Sequence, residues 1–225
     1  MGWFNTGNKA KEKIKNEGER QEKAREEARK NRLYRFWLKG GTDALVTFID
    51  NPVHPLGYEM PVTMMEHQLK INNDWRNWFT CLRDEDDPSI KCPLCEAGDT
   101  PSLVAVYTII DHSEWTDKKN NLHKDEMKLF VCKAAVQKVL LKAEKKKDGL
   151  RGWQVEVTRS SGDALNTGDQ FDFERRFTEE EFEKKYGMPL PEAPDYQKLF
   201  APKSPEELQK VISGEVVADD EVVRF

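Results

Sequence analysis

His67, Cys81, Cys92 and Cys95 are the residues of this sequence with the plainest chemistry. Thirteen residues separate His67 from Cys81, ten separate Cys81 from Cys92, and two lie between Cys92 and Cys95. A Cys-x2-Cys spacing lets two thiolates share one tetrahedral ion. One His with three Cys is a closed set of soft and borderline ligands, of the kind that holds a structural Zn2+. His54 lies near enough in sequence to compete with His67 for the fourth position. The competing reading makes Cys92 and Cys95 a redox pair and Cys81 a small buried apolar residue. That pair would need a different strand and helix context, and these cysteines stand among Pro, Asp and Gly. Cys132, inside an apolar stretch, reads as core.

A second set of residues combines cations with flat side chains. Binding a single nucleic-acid strand without reading it requires charges that follow the phosphates and rings on which bases stack, each stack contributing about 1–3 kcal/mol. Arg35, Trp37 and Lys39 alternate along one stretch, and Trp75, Arg76, Trp78 and Phe79 lead into Cys81. Arg83, Tyr107, Lys128 and Arg159 are further candidates on or beside other expected strands. The ordinary alternative is burial for a ring and solvated surface for a cation. On that ground Phe36, Phe48, Phe130, Phe171 and Phe173 are assigned to the core.

The elements that must position these residues follow from periodicity. Residues 9–32 are nearly all charged or amide residues with a single Ile, and predict a solvated helix or disordered arm of positive charge. Residues 32–39 and 44–50 read as two strands across Gly40-Gly41, with Tyr34, Phe36 and Leu38 facing the core and Arg35, Trp37 and Lys39 facing water. The segment 51–101 holds the ligands but no long apolar run, so an ion would replace its core and metal binding would be coupled to folding. Residues 102–111 and 127–132 predict a hairpin. Residues 133–147 predict a helix burying Val136, Val139, Leu140 and Ala143, and two more strands follow around 153–157 and 171–177. Repeated prolines then leave room for short helices at 178–186 and 204–213.

The expected fold is mainly β, with some α: a Greek-key barrel like the oligonucleotide-binding fold, with a metal subdomain inserted. The expected organisation is a basic arm (1–31), a core (32–177) with the insertion at about 51–101, and a Pro-rich acidic end (178–225). The chain has 225 residues, of which 34% are charged and 37% hydrophobic, with a net charge of −5. Acidic residues cluster at Asp84–Asp87, at Glu179–Glu183 and near the end, whereas the first forty residues carry excess Lys and Arg, so a nucleic-acid partner is compatible with the negative sum. No apolar run is long enough for a membrane span or an export signal. A nucleophile beside a base and a Gly-rich phosphate loop are both missing, so no enzyme is expected.

The His, Cys, Cys-x2-Cys array in a strand-rich domain, between a basic arm and an acidic tail, resembles the helix-destabilising single-stranded DNA-binding proteins of T-even-like bacteriophages. Each of the two long ligand intervals is one residue longer here. The segments Cys92–Pro101 and Arg35–Lys39 are also similar to those of related tailed-phage proteins. The resemblance covers about residues 32–177. It implies an oligonucleotide-binding fold with a zinc subdomain, ligands at His67, Cys81, Cys92 and Cys95, and sequence-independent binding of single-stranded DNA in the host cytoplasm during phage replication, recombination and repair. Proteins of this kind often end in a tail that recruits replication or recombination partners, which gives that role to Asp219, Asp220, Glu221 and Phe225, although Arg224 departs from a uniformly acidic tip. Self-association on DNA is a further expectation, but the short basic motif that serves it in the family is not recognisable here. The rival readings are a zinc-ribbon adaptor and an RNA-binding regulator of phage or host polymerase.

Overall fold

The computed structural model describes residues 6–30, 33–83, 87, 89–116 and 120–215, with backbone alone at 21–30. The chain divides into two units, Met1–Leu33 and Tyr34–Phe225. The first contains α1 (Gly7–Lys30), whose Ile14 is exposed, in keeping with a helix that has no apolar stripe to bury.

The second unit runs β1 (Tyr34–Arg35), β2 (Thr42–Phe48), β3 (Val62–Ile71), β4 (Asp74–Thr80), α2 (Pro93–Glu96) and β5 (Ser102–Asp111). A short pair, β6 (Trp115–Thr116) and β7 (Leu122–His123), leads to β8 (Glu126–Lys133) and α3 (Ala134–Lys147). Then come β9 (Trp153–Arg159), β10 (Gln170–Arg176), α4 (Glu179–Tyr186), α5 (Tyr196–Leu199) and α6 (Pro205–Ser213). Eight strands form one sheet in the order β1-β8-β5-β2-β9-β10, with β3 paired to β5 and β4 to β3.

The sheet is organised by β5, which is buried from Val104 to Asp111, as a strand covered on both faces must be. One edge of β5 is filled by β8. The other is shared: Ser102–Val106 face β3 and Ile109–Asp111 face β2. Alternation sends Ala105, Tyr107 and Ile109 into the main core, where they meet Phe48, Phe130, Val155, Val157 and the buried stripe of α3 at Val136, Leu140 and Ala143. Val139, expected on that stripe, is exposed. The opposite face of β5 sends Ile110 into a second cluster with Phe177, Phe182 and Leu190.

The expected closed barrel is not what forms. Among the described residues no ladder joins β1 to β10, and the protein is a mixed α/β fold on an open sheet. After Arg35 the chain leaves the strand path, and the N–H of Leu38 donates to the carbonyl of Asn166 in the β9–β10 loop. Arg159, also buried, donates to the carbonyls of Leu38, Gly162 and Ala164 and fastens that loop down. Gly40 permits the close approach, since a Cβ there would lie 2.5 Å from the Gly162 nitrogen.

Candidate metal centre and adjoining groove

The ligands come together because a hairpin and a tight turn meet. β3 and β4 are joined at Asn72-Asn73, both with positive φ (51° and 63°), the turn geometry that matches strand twist. His67 lies mid-strand opposite Phe79, and Cys81 follows β4, with its N–H donating to the Met65 carbonyl. Cys92 caps the N-terminus of α2 and Cys95 lies within it, while the N–H groups of Gly98 and Asp99 donate to the Cys95 and Leu94 carbonyls. His67 Nε2 is 3.5 Å from both Cys92 Sγ and Cys95 Sγ, and the Cys81 and Cys95 sulfurs are 3.6 Å apart. All four ligand atoms lie within 4.8 Å of one another, close enough to hold one metal ion. Metal–ligand bonds of about 2.0–2.3 Å give tetrahedral edges of roughly 3.3–3.8 Å, which fits these separations.

His54 takes no part in this cluster. Its ring stacks on Tyr58 at 4.3 Å, accepts from the Leu56 N–H at Nδ1 and bonds the Pro194 carbonyl at Nε2. Around the sulfurs the environment is uneven. Burial pushes the Cys81 thiol up to about 12. Burial acts on Cys92 in the same direction, but backbone N–H groups from Cys95, Leu82 and Leu94 outweigh it and bring that thiol down to about 7.

The β3–β4 hairpin has two faces of different character. On one, Met65, His67, Leu69 and Phe79 turn toward the sulfurs and their small apolar cluster, which also takes in Leu94, Leu208 and Val211. On the other, Glu66, Gln68, Arg76 and Trp78 line an open groove of about 790 Å³. Trp37 and the 164–167 loop bound the groove too, with Trp75 beside the hairpin turn and Lys133 at the end of β8. Trp37 and Trp75 are 55% and 56% exposed, and each ring has a cation 5.9 Å from its centre, Arg159 at Trp37 and Lys70 at Trp75. Arg35 is buried in its floor, donating through both terminal nitrogens to Glu66, with its guanidinium carbon 4.3 Å from the Trp78 ring centre. Arg76 is tied to Asp74 by Nε at 2.8 Å and Nη2 at 2.7 Å, on the exposed rim.

The structure thus gathers Arg35, Trp37, Trp75, Arg76 and Trp78 from the expected surface set at one groove. The others lie elsewhere. Lys39 and Arg83 are exposed but outside the groove lining. Phe79 is buried behind the hairpin and Tyr107 in the main core, because each falls on the inward phase of its strand. Lys128 pairs with Asp111 at 2.7 Å, and Arg159 is consumed by the loop carbonyls. Arg35, expected to face water, is buried because β3 supplies Glu66 opposite it. Asp219, Asp220, Glu221 and Phe225 lie outside the described residues.

Sequence reasoning missed Glu66, Asp99 and Lys133. No local pattern marks them, since each enters the site through strand pairing or the turn after Cys95. It also missed a chain of contacts from Thr47 Oγ1 to His112 Nε2 (2.8 Å) and from His112 Nδ1 to Asp125 Oδ1 (2.6 Å). The order suggests a nucleophile and base, but Thr47 is fully buried and the imidazole stacks on Tyr186 of α4. The arrangement braces α4 against the sheet. Compared with known proteins, the chain matches no family, no curated protein and no solved structure. No described helix is long and apolar enough to cross a membrane.

Proposed function

We propose that this protein binds single-stranded DNA without reading its sequence, along the groove beside the metal centre, and that the ion is Zn2+. One observation carries the reading: three tryptophans from two separate stretches, Trp37 and the Trp75–Trp78 segment, converge on one open groove. Indoles stack on any base, so such a surface favours unpaired strands over duplex, whose bases are already stacked. Three thiolates and one imidazole in a closed tetrahedral arrangement favour zinc among the common ions. The packing of α3 on β5 and β8, with the chain after β1 hydrogen-bonded to the loop after β9, is read here as an opened relative of the oligonucleotide-binding fold. In this reading the protein is a non-enzymatic factor of phage DNA replication, recombination and repair in the host cytoplasm. It protects unpaired strands and recruits partners through residues 219–225.

The cations at the groove are few. Arg35 is neutralised by Glu66 and Arg76 is paired with Asp74 on the rim, so phosphate contact falls first to Lys133 and to Arg76 only where a phosphate replaces Asp74. The salt dependence should therefore be moderate, with a slope of about −0.7 for each phosphate neutralised. Titration with mixed-sequence single strands should quench tryptophan emission strongly, and duplex should do so weakly. Trp37→Ala and Trp75→Ala should each weaken binding by about 1–3 kcal/mol. Equal affinity for duplex, or no quenching, would refute the proposal; a clear preference for RNA would move it to the RNA-binding alternative.

A further inference from the structure

One residue belongs to both the metal cluster and the groove. Asp99 Oδ2 lies 2.5 Å from His67 Nδ1, and its side chain, 34% exposed, forms part of the groove wall. His67 is itself fully buried. With Nδ1–H donating to the carboxylate, the lone pair is left on Nε2, the atom 3.5 Å from the Cys92 and Cys95 sulfurs. A carboxylate behind a ligating histidine fixes its tautomer and ring orientation and raises its basicity. Here that carboxylate has its other side in a groove lined by tryptophans. The backbone holds it there, because the Asp99 N–H closes the turn onto Leu94 within the Cys92–Cys95 loop. Thr100 and Ser102 continue the same wall.

We propose that Asp99 is a positioning residue that couples occupancy of the groove to the grip of His67 on the ion. The inference rests on the groove being the binding site for single-stranded DNA. Bases stacked over Trp75 and Trp78 displace water from the exposed side of Asp99 and lower the local dielectric. The hydrogen bond to His67 strengthens as a result. A tighter outer bond makes His67 a better ligand, so the strand raises the affinity for the metal, which is read as slower release. By linkage, the metal raises the affinity for the strand by the same factor as the strand raises the affinity for the metal.

The test uses the full chain loaded with Co2+, whose visible bands report the ligand set, and follows its transfer to excess EDTA with and without a saturating mixed-sequence single strand. Tryptophan quenching in the same samples reports whether the strand is bound. In the wild type, bound strand should slow cobalt release about fivefold or more. Asp99→Ala should weaken cobalt binding by about 10–100-fold and remove the effect of the strand. Asp99→Asn, which keeps an acceptor without the charge, should fall between, and it preserves the test if the alanine variant does not fold. Trp75→Ala should weaken strand binding while the free protein releases cobalt at the wild-type rate. If the strand quenches emission but leaves cobalt release unchanged, the coupling is overturned and the groove reading survives. If no strand binds, the groove reading fails and the coupling fails with it. Wild-type cobalt affinity in Asp99→Ala would overturn the positioning role by itself.

Discussion

Around α3 the chain buries Phe48, Tyr107, Phe130 and Leu140 almost completely, whereas around the four ligands, among the described residues, it buries only Phe79, Leu94 and Leu208 beside the sulfurs. The first region draws its core side chains from most of the strands of the sheet and needs nothing else. The second has one hairpin, one turn of helix and a cluster too small to offset the ordering of its loops. A helix borrowed from the far end of the chain packs against it, and its four ligand atoms lie close enough to hold one metal ion. On the proposed reading, the difference is a way to hold a binding hairpin in place where a hydrophobic core would have had to fill the space the groove needs.

The largest expected effect separates the two regions outright. Structural zinc contributes about 10–16 kcal/mol to small folds that depend on it. Chelation or Cys92→Ser should therefore remove amide protection across β4 and α2 while β2, β5, β8 and β9 stay protected in hydrogen exchange. Loss of protection in both regions together would show that they do not differ as described.

Next in size, Leu208→Ala should cost about 2–5 kcal/mol, felt locally as faster loss of metal to a chelator. Leu208 is fully buried against the metal cluster, so wild-type release in this variant would mean that α6 lends the subdomain nothing.

The smallest effect is a difference of sign with pH. Burial pushes Asp50 up to about 7, despite a 2.5 Å hydrogen bond from the Tyr196 hydroxyl and one from the Thr108 N–H. The unfolded chain releases that proton near pH 3.9. Between about pH 4 and 7 the folded protein holds a proton the unfolded one has lost, so this group's stabilising contribution falls as pH rises, by up to about 1.4 kcal/mol per unit. Metal binding runs the other way, because its thiols must give up protons. Asp50→Asn should flatten the pH dependence of unfolding in that window without changing the pH dependence of metal uptake. Parallel curves for variant and wild type would reject the assignment.

Much of the main sheet was legible because local pattern and tertiary environment agree there. The continuous apolar run at 102–111, the helix after Lys133 and the alternation at 153–157 each carry their own signal. β3 and β4 were not legible. Their sequence mixes Met, Glu, His, Gln and Lys because one face serves the metal cluster and the other the groove, so neither reads as a buried stripe. The three cysteines could be read from spacing, which left His54 and His67 as alternatives for the fourth position, and the distances between the atoms select His67. The orientation of Arg35 could not, since its burial depends on Glu66, thirty-one residues away.

The packing of α6 has a practical side. Its N-terminus is fixed by Ser204 and Glu207 in a reciprocal cap, and its apolar side closes over Cys92 and Leu94 more than a hundred residues earlier in the chain. A truncated fragment ending before Pro205 would therefore leave greasy surface bare right at the thiols. Such a fragment should be sticky, oxidation-prone and poor at keeping its ion, even though it carries every ligand and every groove residue.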